Sequence, residues 1–197
     1  MLNSLLLGTR NPGKIHEIKL IIGDLGLELH SLQEFERVEV PEENADTYAG
    51  NGILKAQFYA RATGMPALAD DSGLEVEALG GAPGVLSARY AGEHATDADR
   101  RSLLLSELIK TSTQNRRARF VCAVAIATSD GKVLNVSEGI CEGVITLAAR
   151  GESGFGYDPL FVPGGYDQTF GELSDEIKNH ISHRARALQK LRTWLMS

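Results

Sequence analysis

Residues 66–73, Pro66-Ala67-Leu68-Ala69-Asp70-Asp71-Ser72-Gly73, set two adjacent carboxylates after a short apolar run. The run reads as a buried strand, and the Asp-Asp-Ser-Gly sequence reads as its end. In an open α/β sheet, ligands collect beyond the carboxyl ends of the strands. Neighbouring carboxylates repel unless a cation or a proton lies between them. Two readings follow. One is a site that binds Mg²⁺ or handles a proton or a water; the other is an Asx-type turn or helix cap made of common turn residues.

The chain before this stretch suggests a strand, a loop and a helix. Leu5-Leu6-Leu7 reads as a buried strand, and with no basic segment ahead of it the start does not read as a signal peptide. A helix follows with Ile15, Ile18, Ile21, Ile22 and Leu25 at helical spacing and Gly26 as its stop. Asn11 and Pro12 suit the N-cap and first helical position. The unpaired N–H groups expected at that end, with Thr9, Asn11 and Lys14, suit a phosphate. An ordinary capped turn explains the same residues, and the Gly-Lys-Ser/Thr ending of a Walker loop is missing.

Leu27–Leu32 reads as a second strand. Glu34, Glu36, Glu39, Glu42, Glu43 and Asp46, with Arg37 among them, read as a solvated acidic loop from which one member can turn inward as a metal ligand. Thr47–Gly64 reads as a helix; its Lys55 is expected to snorkel to solvent, the alternative being contact with a bound anion. Leu74–Leu79 reads as a strand, followed by a tight glycine loop at 80–84. Thr96 and Asp99 form a capping box for a helix through Leu103, Leu104, Leu108 and Ile109. Arg116, Arg117 and Arg119 read as surface residues. Phe120–Thr128, a turn at 129–132, and Val133–Ile140 with Cys141–Leu147 form an antiparallel β region. A β-rich middle between helix-and-strand flanks predicts one α/β domain over 1–197: an elongated mixed sheet with flanking helices, in two lobes around a central substrate cleft.

Two stretches near the end carry further chemistry. Glycines flank Phe155 in Gly154-Phe155-Gly156-Tyr157-Asp158, so the ring is either open for stacking on a base or filling a core pocket. Ser182 suits the cap of a final helix with Ala185, Leu188, Leu191 and Leu195 on one face. His183 and Arg184 then lie in its first turn, where cations oppose the helix dipole at about 0.3–1 kcal/mol. A bound anion or a carboxylate partner removes that conflict. His180 and His183 lack the further ligands of a zinc site, and His16 and His30 read as surface residues.

The formal net charge of −6 argues against nucleic acid as a partner, and an anionic ligand needs a local cluster of cations. No stretch approaches the roughly 18 apolar residues of a membrane span. Cys122 and Cys141 read as core thiols in a reducing compartment, which predicts a cytoplasmic location.

Taken together, Thr9-Arg10-Asn11-Pro12-Gly13-Lys14, Ala69-Asp70-Asp71-Ser72-Gly73, Gly154-Phe155-Gly156-Tyr157-Asp158 and Ser182-His183-Arg184 resemble the noncanonical purine nucleoside triphosphate pyrophosphatases, the inosine and xanthosine triphosphatases of the Ham1-like type. The resemblance implies hydrolysis of inosine, deoxyinosine and xanthosine triphosphates to the monophosphate and pyrophosphate, Mg²⁺ dependence and a homodimer. It implies that Thr9, Arg10, Asn11, Pro12, Gly13, Lys14 and Lys55 hold phosphates. It implies that Asp71 is the catalytic carboxylate, that Ser72 touches substrate, and that Glu43 joins Asp71 as metal ligand. Phe155, Gly156, Tyr157, Asp158, Lys178, His183 and Arg184 match the base and substrate pocket. Arg10 stands where relatives carry a small residue, and Asn44-Ala45 replaces the usual Asp-Gly after the glutamate. A Maf-like pyrophosphatase of other base specificity and a non-catalytic nucleotide-binding protein are the competing functions.

Overall fold

Three leucines at Leu5, Leu6 and Leu7, with no polar residue between them, can only lie in a strand covered on both faces. In the computed structural model, which describes residues 2–35 and 38–197, they form β1 (Ser4–Leu7), and all three are fully buried. Helix α1 (Pro12–Ile22) returns the chain to β2 (Glu28–Ser31), parallel to β1 with Ser4 opposite Glu28. Helix α2 (Tyr48–Thr63) leads to β3 (Ala67–Val76), parallel to β1 on its other side with Leu7 opposite Leu68. After α3 (Asp97–Lys110) come β4 (Arg117–Ala127), β5 (Val133–Ile145) and β6 (Phe161–Pro163), with β6 antiparallel to β5. Helices α4 (Asp175–Ile181) and α5 (His183–Leu195) end the chain. The six strands make one mixed sheet in the order β2-β1-β3-β4-β5-β6. The α/β class and the flanking helices are as the sequence predicts.

Several boundaries differ. Helix α1 stops at Gly23, not Gly26. The two segments expected over 133–147 are one strand ending at Ile145. The largest difference is β3: Asp70, Asp71, Ser72 and Gly73 do not end the strand but lie within it, and it runs on to Val76 before a short turn of helix at Glu77–Leu79. Glu36 and Arg37 of the acidic stretch lie outside the described residues.

The chain forms two units, passing between them after Asp71, Val121, Gly139 and Ser182. The first comprises Met1–Asp71, Cys122–Gly139 and His183–Ser197. Alternation along its strands sends side chains to two separate cores. Leu5, Leu7, Leu68, Cys122, Val124 and Ile126 pack with Ile18 and Ile22 of α1 and Leu188 and Leu191 of α5. Leu6, Ala67, Ala69, Ala125 and Ala127 pack with Ala56, Tyr59 and Ala60 of α2. The second unit, Ser72–Val121 and Ile140–Ser182, has its own core around Leu74, Leu104, Phe120, Phe161 and Phe170. There the Phe161 and Phe170 rings stack with centroids 5.4 Å apart.

The alanines facing α2 let that helix approach the sheet closely, and Gly52 is the limiting point. A Cβ at Gly52 would lie 3.2 Å from the Ala123 carbonyl oxygen and 3.7 Å from the Asp71 nitrogen, both backbone atoms of the sheet. Gly52→Val is expected to cost about 1–3 kcal/mol by overpacking, read as a lower urea midpoint at unchanged slope. An unchanged midpoint would mean that α2 has room to move.

Candidate active site

Consecutive strand residues face opposite ways. Asp70 follows Leu68 onto the face under α1 and α5, and Asp71 follows Ala69 onto the face under α2. Strand β1 ends at Leu7, opposite Leu68, so both acids lie past the last paired residue of their parallel neighbour. The acids therefore lie beyond the carboxyl end of β1, while β3 runs on past them. Each acid has its own hydrogen-bonded cation, although the Lys55 charge acts on both.

On the first face, Asp70 Oδ2 lies 3.0 Å from Lys14 Nζ and 3.1 Å from Arg184 Nη2, and Arg184 Nη1 donates to Glu17 Oε2 at 2.5 Å. Arg184 is only 1% exposed, so its partners must be inside the protein. Burial alone would raise the Asp70 pKa, but the Lys14, Arg184 and Lys55 charges outweigh it and hold the carboxyl well below its usual range. Burial would lower the Arg184 pKa, and the Asp70 and Glu17 charges raise it instead. The Cys122 thiol beside Asp70 is pushed up to about 12, by burial first and then by the Asp70 charge. Carboxylates thus serve Arg184 at the start of α5. Asp70 Oδ1 is buried with no hydrogen-bond partner among the described residues.

The N-terminus of α1 differs from the expectation of unpaired N–H groups. Asn11 Oδ1 accepts from the N–H groups of Gly13 and Lys14, at 2.9 and 3.2 Å, and the Ile15 N–H donates to the Asn11 carbonyl. Pro12 has no N–H to offer. Thr9 Oγ1 accepts from the Asn11 N–H at 3.2 Å, and the Arg10 guanidinium donates to the Val38 carbonyl at 2.6 Å. This turn therefore offers an anion side chains, chiefly Lys14, more than backbone.

On the second face, Lys55 Nζ lies between two acids, 2.6 Å from Glu43 Oε1 and 3.1 Å from Asp71 Oδ1. Lys55 is buried, against the expectation that it reaches solvent. Burial favours its neutral form, but the charges of Asp71, Asp70 and Glu43 win and its pKa is raised. Asp71 moves the other way from Asp70. Its own burial, with a contribution from Glu43, raises its pKa despite Lys55 and the hydrogen bond from Asn51. Asn51, fully buried, donates to Asp71 Oδ2 at 3.0 Å and accepts from the Ala45 N–H at 2.9 Å, so it ties the acidic loop to the strand.

These oxygens fit a magnesium ion. Mg²⁺ takes one or two carboxylates and completes its shell with water and substrate phosphate. Glu43 and Asp71 already converge on one cationic group. No cluster of three acidic, His or Cys ligands exists among the described residues.

In the second unit, Asp158 Oδ2 accepts from Lys178 Nζ at 2.8 Å and from the Phe155 N–H at 2.9 Å. Lys178 Nζ lies 4.8 Å from the Phe155 ring centroid, so a charge covers the ring, which is half-buried and in no hydrophobic core cluster. Gly154 and Gly156 have φ of +76° and +60°, values that other residues resist. The Tyr157 hydroxyl donates to the Ser87 carbonyl at 3.0 Å. Ser72 is the half-buried first residue of this unit. His183, also buried, begins α5 in the first unit.

The first unit thus gathers Lys14, Glu43, Lys55, Asp70, Asp71 and Arg184, and the second gathers Phe155, Asp158 and Lys178. Glu17 and Asn51 escape the sequence reading. Glu17 shares a helical face with Lys14, Ile18 and Ile21, and Asn51 lies one turn before Lys55. A polar residue at core spacing was the available signal in both cases. Arg117 and Arg119 are exposed, as expected of surface residues; Arg119 pairs with Glu75, and the half-buried Arg116 donates to the Ile145 and Thr146 carbonyls.

Residues 5–194 match the Ham1 family. A dITP/XTP pyrophosphatase of Desulforamulus reducens is 50% identical over 186 residues, covering 94% of this chain and 92% of that one. A dITP/XTP pyrophosphatase of Thermus thermophilus is 48% identical, covering 94% and 88%. The solved structure of a HAM1 protein from Coxiella burnetii superposes with a TM-score of 0.91 at 41% identity, covering 100% and 99% of the two chains.

Removing one partner of a buried ion pair costs about 3–5 kcal/mol. Asp70→Asn is expected to lower the unfolding free energy by about 3 kcal/mol at neutral pH. A depressed folded-state pKa contributes stability that is complete above the unfolded carboxyl's pKa and is lost as pH falls below it. The deficit should therefore be full at pH 7 and shrink below about pH 4. Urea unfolding of both proteins at the two pH values checks this, and a deficit independent of pH would contradict it.

Proposed function

The chain belongs to the Ham1 family, and from that premise we propose that it hydrolyses dITP, ITP and XTP to the nucleoside monophosphate and pyrophosphate, clearing these nucleotides from the pool. The observation that carries this is the Lys55 ammonium held between the carboxylates of Glu43 and Asp71, the Asp71 pKa being raised chiefly by its burial. A carboxylate with a raised pKa is a better proton acceptor near neutral pH than an ordinary one.

In this reaction Asp71 takes a proton from the water that attacks the α-phosphorus, and pyrophosphate leaves. Asn51 and Lys55 hold one Asp71 oxygen each, which fixes the carboxylate's plane. Lys14 and Lys55 lose part of their carboxylate pairing as they take on phosphate charge, and Thr9, Arg10, Asn11, Pro12 and Gly13 shape the turn around that end of the substrate. Glu43 and Asp71 would hold Mg²⁺, which when bound neutralises phosphate charge and acidifies water. Phe155 stacks on the purine, with Gly156, Tyr157 and Asp158 shaping its loop and Ser72 and His183 adding polar contacts. Arg184 acts through Asp70, which it holds for Lys14. The Lys178 ammonium, held by Asp158, is a donor suited to a 6-keto oxygen. Adenine carries an amino group there and leaves the donor unmet, a loss that discriminates strongly in a site built to hydrogen-bond.

Assembly as a homodimer, which rests on the family resemblance, and a cytoplasmic location, which rests on the two core thiols, complete the proposal. No helix among the described residues is long and apolar enough to cross a membrane, and both cysteines are buried.

A panel of dITP, XTP, dATP, dGTP and dCTP with Mg²⁺ and pyrophosphate detection tests the function. Turnover of dITP and XTP at least about 100-fold above dATP is expected. Asp71→Asn should lower kcat by at least about 100-fold with the fold intact by circular dichroism. Equal turnover of all five nucleotides, or near wild-type kcat in Asp71→Asn, would overturn it.

A further inference from the structure

Gly156 has both of its backbone polar groups bound by one helix. Its N–H donates to Asp97 Oδ2 at 2.7 Å, and its carbonyl accepts from Arg101 Nη1 at 2.8 Å. Asp97 is the first residue of α3 and Arg101 lies one turn later, so the two side chains leave the same face. Such a two-point grip fixes the orientation of a peptide unit as well as its position. Both bonds are charge-assisted, which makes them stronger than neutral ones.

The grip is itself held. Thr96 caps α3 through a reciprocal box with Asp99. Arg100 donates to Asp97 Oδ1 at 2.5 Å and to the carbonyls of Ala88 and Ala95. The Arg100 and Gly156 hydrogen bonds keep the Asp97 carboxyl below its usual pKa, although its partial burial acts the other way. On the other side of Gly156 the loop is tight, with the Asp158 N–H on the Phe155 carbonyl and the Phe155 N–H on Asp158. Phe155 is directly bonded to Gly156, so a displaced Gly156 carries the aromatic ring with it.

We propose that Asp97 and Arg101 are positioning residues for the purine: they touch no substrate but set where the Phe155 ring lies, and so govern base affinity without governing the hydrolytic step. This rests on the purine-stacking role given to Phe155 above. The Asp97 side chain is 39% exposed, so its removal takes nothing from the core.

The test measures KM and kcat for dITP, and the inhibition constant of inorganic tripolyphosphate, a ligand with no base. It compares wild type with Asp97→Ala, Asp97→Asn and Arg101→Met. Asp97→Ala and Arg101→Met should each raise KM about tenfold with kcat within about twofold. Asp97→Asn keeps an acceptor for the Gly156 N–H and should stay within about threefold of the wild-type KM. Tripolyphosphate inhibition should stay within about twofold in all three, which a general loss of structure would not allow. An unchanged KM in both Asp97→Ala and Arg101→Met, or tripolyphosphate inhibition weakening in step with KM, would overturn the proposal and leave the pyrophosphatase activity standing. Wild-type protein that does not turn over dITP would overturn the activity, and the positioning role with it.

Discussion

The pleat of β3 is the constraint on which the rest depends. Two adjacent aspartates in a turn or at a strand end can face one cavity and compete for one cation. Inside an extended strand they cannot, because successive side chains leave opposite faces. Asp70 and Asp71 therefore meet different helices, α1 and α5 on one side and α2 on the other. Their pKa values diverge as a result. The acid facing two cations is held ionised, and the one facing a lysine already shared with Glu43 is left easier to protonate. One pair of identical side chains is thereby divided between two environments, and the proton-handling role proposed for Asp71 falls to the one that is easier to protonate.

The division draws on distant parts of the chain. Arg184 and Glu17 are 167 residues apart in sequence, and together with Lys14 and Asp70 they join α1, β3 and α5 through a buried network of two acids and two cations. A buried pair costs desolvation and gains little net stability when intact, yet losing one member leaves an uncompensated charge. The network is therefore best understood as fixing where Lys14 sits. On the opposite face Asn51 performs the matching task for Asp71, and Gly52 lets α2 come close enough for it to reach.

Local chemistry was readable where local chemistry decides. Asn11 caps α1, Thr47 and Gly64 bound α2, and Thr96 with Asp99 forms the box at α3, as their residue types indicate. The fold class followed from the same signals. What was hidden depends on neighbours that are far apart in sequence. Asp-Ser-Gly has turn composition, and β3 continues through it because the sheet supplies partners that local propensity does not count. Lys55 looks like a surface lysine until Glu43, twelve residues before it, and Asp71, sixteen after it, are brought to its ammonium. Helix α4 has seven residues, too few for a periodic pattern to register.

The most direct test of the divided roles is a double-mutant cycle of Asp70→Asn and Asp71→Asn on the unfolding free energy at pH 7. Acids on opposite faces, linked only through the Lys55 charge that acts on both, should give a coupling no larger than about 1 kcal/mol. A coupling above about 1.5 kcal/mol would mean that the two carboxylates act on each other in one shared site, and would contradict the account.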